Sequence, residues 1–233
     1  MLKLHKSSER GSADHGWLQS KHSFSFANYF NPKELGFGSL LVINEDLVQP
    51  SKGFGTHGHQ NMEIISYVLS GALEHKDSMG NGSVIKPGDV QRMSAGTGVR
   101  HSEFNHSSTE LVHFLQIWID PSVQGIKPSY EEKHFEKSSK LGRLRLIASP
   151  DGRDGSVLIH QNAKIYASIL SGSDDVQHVL EARRNAYVHL IRGQVEVNGI
   201  KLTTGDALKV TDESLLAFKN AIDAELLLFD LPQ

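Results

Sequence analysis

The sequence predicts an all-β fold of two small barrels in tandem, and three observations carry that prediction. Short apolar or alternating runs recur at close spacing, separated by turns rich in glycine, asparagine and proline. The texture breaks once, over residues 120–143, where proline, serine and charged residues replace the strand-like runs. A weak internal repeat then relates the segments on either side of that break.

In chain order, the strand-like runs of the first half are 40–43, 63–69, 72–75, 83–85, 90–93 and 111–119. Between them lie Ser70-Gly71, Gly80-Asn81-Gly82, Pro87-Gly88-Asp89 and Gly96-Thr97-Gly98. Asn81-Gly82 is a signal for a two-residue hairpin. The run 111–119 is apolar on both parities, which predicts a strand buried on both faces. Residues 126–143 read as a linker with one short polar helix, and the mixed-charge stretch 131–137 as a solvated face. Strand-like runs resume at 144–148, 157–160, 164–170, 186–192, 194–197, 207–210 and 225–229. The expected division is therefore a first barrel over 1–125, a linker over 126–143 and a second barrel over 144–233.

The repeat bears on function. Tyr67 through Gly71, then Pro87-Gly88-Asp89, parallels His189 through Gly193, then Thr204-Gly205-Asp206, and Asn81-Gly82 is echoed by Asn198-Gly199. With Gly71 laid on Gly193, His57 and His59 fall on Val179 and Glu181, and no histidine follows Gly205-Asp206. Only the first barrel should carry the chemistry described next.

That chemistry rests on two pairs, His57 and His59 in Gly55-Thr56-His57-Gly58-His59, and His101 and Glu103 in Arg100-His101-Ser102-Glu103. Side chains two apart on a strand leave by the same face, so each pair presents two donors to one side. Two such strands facing each other bring three imidazoles and a carboxylate to a common point. This set suits one divalent transition metal per chain, with Fe, Cu, Zn, Mn and Ni all compatible, and leaves coordination positions open for substrate.

Composition narrows the alternatives. The chain has 233 residues, a formal net charge of −3 and no cysteine, so disulfides, thiolate sites and thiol nucleophiles are excluded. No basic face suggests direct nucleic-acid contact. No stretch approaches the roughly 20 apolar residues of a membrane span, and the first residues lack the apolar core of a signal peptide. A soluble, cytoplasmic protein is expected. Nine of the thirteen histidines lie in the first 113 residues, which again separates the roles of the two halves.

Other residues read more plainly. Glu63 reads as a buried carboxylate behind the ligands rather than a fifth ligand, and His75 as a strand histidine with a place in the pocket as the alternative. His106 and His113 read as structural, nothing in the spacing of His15 and His22 argues for chemistry, and Phe24, Phe26, Tyr29 and Phe30 read as core, with a place in the substrate pocket for one or two as the alternative.

Taken together, the frame from Gly53 through His-x-His to Gly71, then Gly88 through Ser94-Ala95-Gly96 to His101 and Asn105, resembles the two cupin motifs. Its departures, Ser94 and the longer step from Gly96 to His101, resemble the pirin branch. So do His22-Ser-Phe-Ser-Phe-Ala27, Val42-Ile-Asn-Glu-Asp46, Gln91-Arg-Met-Ser-Ala-Gly96, His101-Ser-Glu-Phe-Asn105 and Ser149-Pro-Asp-Gly-Arg153. The resemblance implies a bicupin of jelly-roll type with short helices, its metal held by His57, His59, His101 and Glu103. It is closest to short bacterial pirins with quercetin 2,3-dioxygenase activity. The implied activity is metal-dependent opening of a flavonol ring by O2 with release of CO, Glu103 doubling as the proton acceptor. The alternative it implies is a metal-containing regulatory protein acting through protein partners. Gly58, where the family often has proline, and Gln60-Asn61, in place of Arg-Asp, bear on substrate preference.

Overall fold

The computed structural model describes residues 1–233. It is built of strands and contains no α-helix; the short helices expected from the sequence reduce to three-residue 3₁₀ turns. Two compact units form, one of residues 11–134 and 157–161, the other of residues 1–10, 135–156 and 162–233.

β1 (Leu2–His5) belongs to the second of these units. The first holds β2 (Gly11–Asp14), β3 (Leu18–His22), β4 (Leu40–Val48), β5 (Gly53–His59), β6 (Glu63–Ser70) and β7 (Leu73–Asp77). It continues with β8 (Gly82–Ile85), β9 (Asp89–Ser94), β10 (Val99–Asn105), β11 (Val112–Ile119) and β12 (Ser129–His134). They make a seven-stranded sheet, β12-β9-β6-β11-β4-β3-β2, and a four-stranded sheet, β5-β10-β7-β8. Val48, Val68, Val112 and Phe114 from the larger sheet pack with Leu73 and Ile85 from the smaller. Leu115 and Ile117 are buried as well as Phe114, so β11 is covered on both faces, as its two-sided apolar run predicts.

One feature of the larger sheet positions the site. His22, Asn44, Gln116, Ser66 and Gln91 are direct cross-strand neighbours in register, one from each of β3, β4, β11, β6 and β9. All five are buried. A polar rung across five strands is costly in a core unless each group finds a partner.

Two expectations are corrected here. Residues 129–134 are not linker or helix: β12 pairs with β9 from Ser129↔Ser94 to His134↔Asp89. The extended form lets two of its charges meet partners across the ladder, Glu131 with Arg92 at 3.2 Å and His134 with Asp89 at 2.6 Å. The Asn81-Gly82 pair is also not a two-residue hairpin, since Gly82 already lies in β8. The Asp77 carboxylate accepts from Met79 N, Asn81 N and Asn81 Nδ2 at 2.8–3.0 Å, which closes a longer loop over residues 78–81.

The second unit comprises β13 (Arg145–Ser149), β15 (Lys164–Leu170), β16 (Val176–Val179), β17 (Arg184–Val197), β18 (Ile200–Thr203), β19 (Ala207–Val210) and β20 (Leu215–Pro232), with β14 (Val157–Leu158) lying in the first. Its sheet runs β1-β19-β17-β20-β15-β13, with β16 on β20 and β18 on β17. Leu190, Leu208, Phe218, Leu226 and Leu228 form its core. Residues 1–10 fold here, because Leu2 to His5 pair with Val210 to Ala207, so the expected first barrel loses its first ten residues.

The repeat survives as matched turns in the two units. Gly71 and Gly193 have φ of 77° and 81°, and a Cβ at either would lie 2.5 Å or less from a backbone carbonyl oxygen, Leu111 O or Asp223 O. Asp89 accepts from Lys86 N at 2.7 Å and Asp206 from Thr203 N at 2.9 Å, the same turn built twice.

Candidate metal centre

β5 and β10 are antiparallel neighbours with His101 directly opposite His57. His59 is two residues along β5, so all three imidazoles converge, as the spacing predicts. His101 Nε2 lies 3.0 Å from His57 Nε2 and 3.1 Å from His59 Nε2. Metal–imidazole bonds of about 2.1 Å set two donors about 3.0 Å apart at a right angle and about 3.4 Å apart at the tetrahedral angle. The observed spacing matches the right angle, an arrangement that leaves further positions open.

The protonation states fit a cation. His57 Nδ1–H donates to Gly55 O at 2.8 Å, which leaves the lone pair on Nε2. Burial first, then the neighbouring imidazoles, pushes His59 down to about 4 and His101 down to about 3. Ring nitrogens this close need either an Nε2–H proton of His101 or a cation between them, and a cation satisfies all three at once.

Glu103 is buried on β10, two residues from His101 and past a bulge that shifts the register against β5. Its Oε2 accepts from Gln116 Nε2 at 2.6 Å, and its Oε1 lies 3.1 Å from Ser66 Oγ. Ser66 Oγ is also 3.0 Å from Gln116 Oε1, and its single proton serves one acceptor at a time. The polar rung of the larger sheet therefore holds the carboxylate. The three imidazoles form one group with metal-ligand spacing, whereas Glu103 groups with His75 and His101.

The structure places the other candidates as follows. Glu63 is turned away: Ser94 Oγ–H donates to it at 2.9 Å, and His160 Nδ1 lies 3.3 Å away. His75 stands beside His101, ring centroids 5.3 Å apart, stacked on Tyr130 and bonded through Nε2 to Asp77 at 3.2 Å. Burial opposes the charge on Asp77, but hydrogen bonds from Asn81, His75 and Met79 hold its pKa below the ordinary value. His106 pairs with Glu74 and His113 with Glu45, as structural histidines do.

A cavity of about 540 Å³ opens onto His57, His59 and Glu103. Its walls include Trp17, Phe26, Phe54 and Trp118. Trp118 meets His59 edge-on at 5.0 Å, and Phe26 packs on Trp118 at 5.4 Å. Phe26 and Tyr29 are thus the two of the four aromatics that take the pocket alternative, and His15 and His22, for which the spacing offered no chemistry, line the cavity too. The sequence reading also passed over Ser20, Asn44, Asp46, Ser66 and Gln116. For Ser66 and Gln116 the signal was a polar residue set among apolar neighbours on its strand. Burial pushes the Asp46 carboxyl up to about 7, against the hydrogen bond from Ser20.

Comparison with known proteins agrees with this geometry. Residues 3–119 match the family model described as Pirin, and residues 146–231 match the quercetinase C-terminal cupin domain. The chain is 47% identical over 232 residues to a quercetin 2,3-dioxygenase of Escherichia coli K12, covering 100% of this chain and 99% of the relative. It is 40% identical to a pirin-like protein of Caulobacter vibrioides, covering 94% and 95%. The crystal structure of the bacterial pirin YhhW from Escherichia coli in complex with nickel(II) superposes with a TM-score of 0.95 at 46% identity, covering 100% and 99%. With the two domain models covering both units and relatives matching end to end, the chain belongs to the pirin family.

Proposed function

We propose that this chain is a metal-dependent dioxygenase that opens a flavonol ring such as that of quercetin with O2 and releases CO. The observation that carries the reading is the convergence of three imidazole Nε2 atoms beside an aromatic-walled cavity onto which His57, His59 and the buried Glu103 open. The names of the relatives support it.

His57, His59 and His101 would hold the metal, with Glu103 as the fourth ligand. A divalent metal there supplies a Lewis acid that favours the enolate form of the substrate. The remaining chemistry belongs to the chain. The faces of Trp17, Phe26, Phe54 and Trp118 admit a planar aromatic ring and exclude water. Glu103 accepts the enolic proton on Oε1 when Ser66 Oγ–H turns to Gln116 Oε1, while Gln116 Nε2 keeps Oε2 in place.

The test is oxygen uptake together with CO release on adding quercetin to protein loaded with each divalent metal in turn. Uptake with CO in at least one metal form is expected. No uptake with any flavonol and any metal would remove the dioxygenase reading and leave a metal-binding regulatory protein acting through partners.

A further inference from the structure

Three aromatic rings run in contact from the converging imidazoles to the edge strand β12 of the first unit. His75, fully buried on β7, lies with its ring centroid 5.3 Å from that of His101. Tyr130 reaches over from β12 in the other sheet and stacks on His75 at 5.2 Å, with 30° between the ring planes. Rings at such spacings touch through their π-systems. The Tyr130 phenol then donates to Glu132 Oε2 at 2.7 Å. Both Tyr130 and Glu132 are half-buried. Burial first, then the Glu132 carboxylate, holds the phenol pKa above its ordinary value, so the phenol keeps its proton while its electrons stay in place. Oxidation changes that: a phenol that loses an electron becomes a strong acid, and the carboxylate to take its proton is already hydrogen-bonded.

Trp118 differs in this respect. It meets His59 edge-on at 5.0 Å, yet its buried Nε1–H has no acceptor, so an indole oxidised there has no group to take its proton. We propose that Tyr130 is a redox relay, passing one electron through His75 and His101 to the metal site when an oxidant has struck it, and its phenol proton to Glu132 in the same event. The relay moves a damaging oxidising equivalent off the ligand imidazoles and out to the half-buried edge strand. With a peroxide as oxidant the step balances. H2O2 takes one electron from ferrous iron and one from Tyr130, and with two solvent protons becomes two waters. The Tyr130 O–H bond breaks, an O–H bond forms on Glu132, and ferric iron and a neutral phenoxyl radical remain. The inference needs a metal that changes valence and owes nothing to the flavonol chemistry, so it is tested apart from the dioxygenase reading.

The experiment looks for the radical. Iron(II)-loaded protein, prepared without O2, is mixed with one equivalent of hydrogen peroxide, frozen, and read by electron paramagnetic resonance. A tyrosyl signal is expected, identified by its narrowing in protein grown on ring-deuterated tyrosine. Tyr130→Phe should abolish it with iron content unchanged. Glu132→Gln keeps an oxygen for the phenol hydrogen bond but cannot take the proton. It should lower the radical yield at least about tenfold, since a positioned proton acceptor is worth more than that in rate. His75→Leu breaks the ring contact and should lower the yield as well. Glu132→Gln also serves where Tyr130→Phe folds poorly, because a Tyr130 that only packs would not respond to it.

A tryptophan signal in place of the tyrosyl one, no organic radical, a tyrosyl signal that survives Tyr130→Phe, or an undiminished yield in Glu132→Gln each overturn the inference. So does failure to hold iron, since a metal of fixed valence gives the relay no task. A Tyr130 radical without oxygen uptake on quercetin supports the inference and removes the dioxygenase reading. Uptake without the radical does the reverse.

Discussion

The proposed mechanism gives Glu103 two tasks at one carboxylate, and substitution separates them. His57→Ala or His101→Ala removes one of three converging imidazoles and should strip the metal, read by metal analysis after desalting. Glu103→Gln keeps an oxygen for the metal and for Gln116, so metal should be retained at reduced affinity. Turnover should fall by about 10²- to 10⁴-fold, the usual cost of losing a general base. Near-full activity in Glu103→Gln would make the carboxylate a spectator. Asp46 gives a second test at this scale, on metal-free protein. Its folded pKa is raised from 3.8 to about 7, so the penalty for ionising it in the fold is absent below about pH 4, grows through the window and is complete above pH 7. Asp46→Asn should therefore raise the melting temperature at pH 8 and change it little at pH 4. A gain that is larger at the acid end would contradict the assignment.

At the scale of elements, turns and cross-strand partners decide what a strand can present. Gly71 joins β6 to β7 at φ 77°, and a Cβ there would sit 2.5 Å from Leu111 O. Gly16 has nearly the same φ, 78°, with nothing within 4 Å. Gly16→Ala should cost about 1 kcal/mol from backbone conformation alone, and Gly71→Ala clearly more, roughly 2 kcal/mol or above, because backbone must also move. Urea denaturation of the two variants checks this, and equal losses would show that crowding at Gly71 is relieved cheaply. The same scale explains where local sequence rules lost. The Asn81-Gly82 hairpin rule yielded to the Asp77 carboxylate, which gathers three donors and fixes a longer loop. The linker expected over residues 129–134 yielded to ladder partners on β9, from Ser129↔Ser94 to His134↔Asp89, far upstream in the chain.

For the whole molecule, the first prediction is stoichiometry. Val179, at the position matched to His57, is 71% exposed, and Glu181 pairs with Lys164 at 3.1 Å. Both groups with metal-ligand spacing lie in residues 57–103. Metal analysis should give one ion per chain. Two tightly held ions, the second surviving loss of His57 and His59, would overturn this.

The sequence by itself determined the strand-rich fold, the duplication and the three converging imidazoles. Those features are local: a period of two, turn residues at fixed offsets, and donors two apart on a strand need no distant information. It also singled out Glu103, though not the company that residue keeps. Only the tertiary structure decided that Ser66 and Gln116 hold it, that Asn44, Asp46 and Trp118 face the same cavity, and that residues 1–10 fold with the C-terminal strands. These depend on which strands become neighbours and in what register, and a one-residue shift of register would turn every one of those side chains to the opposite face.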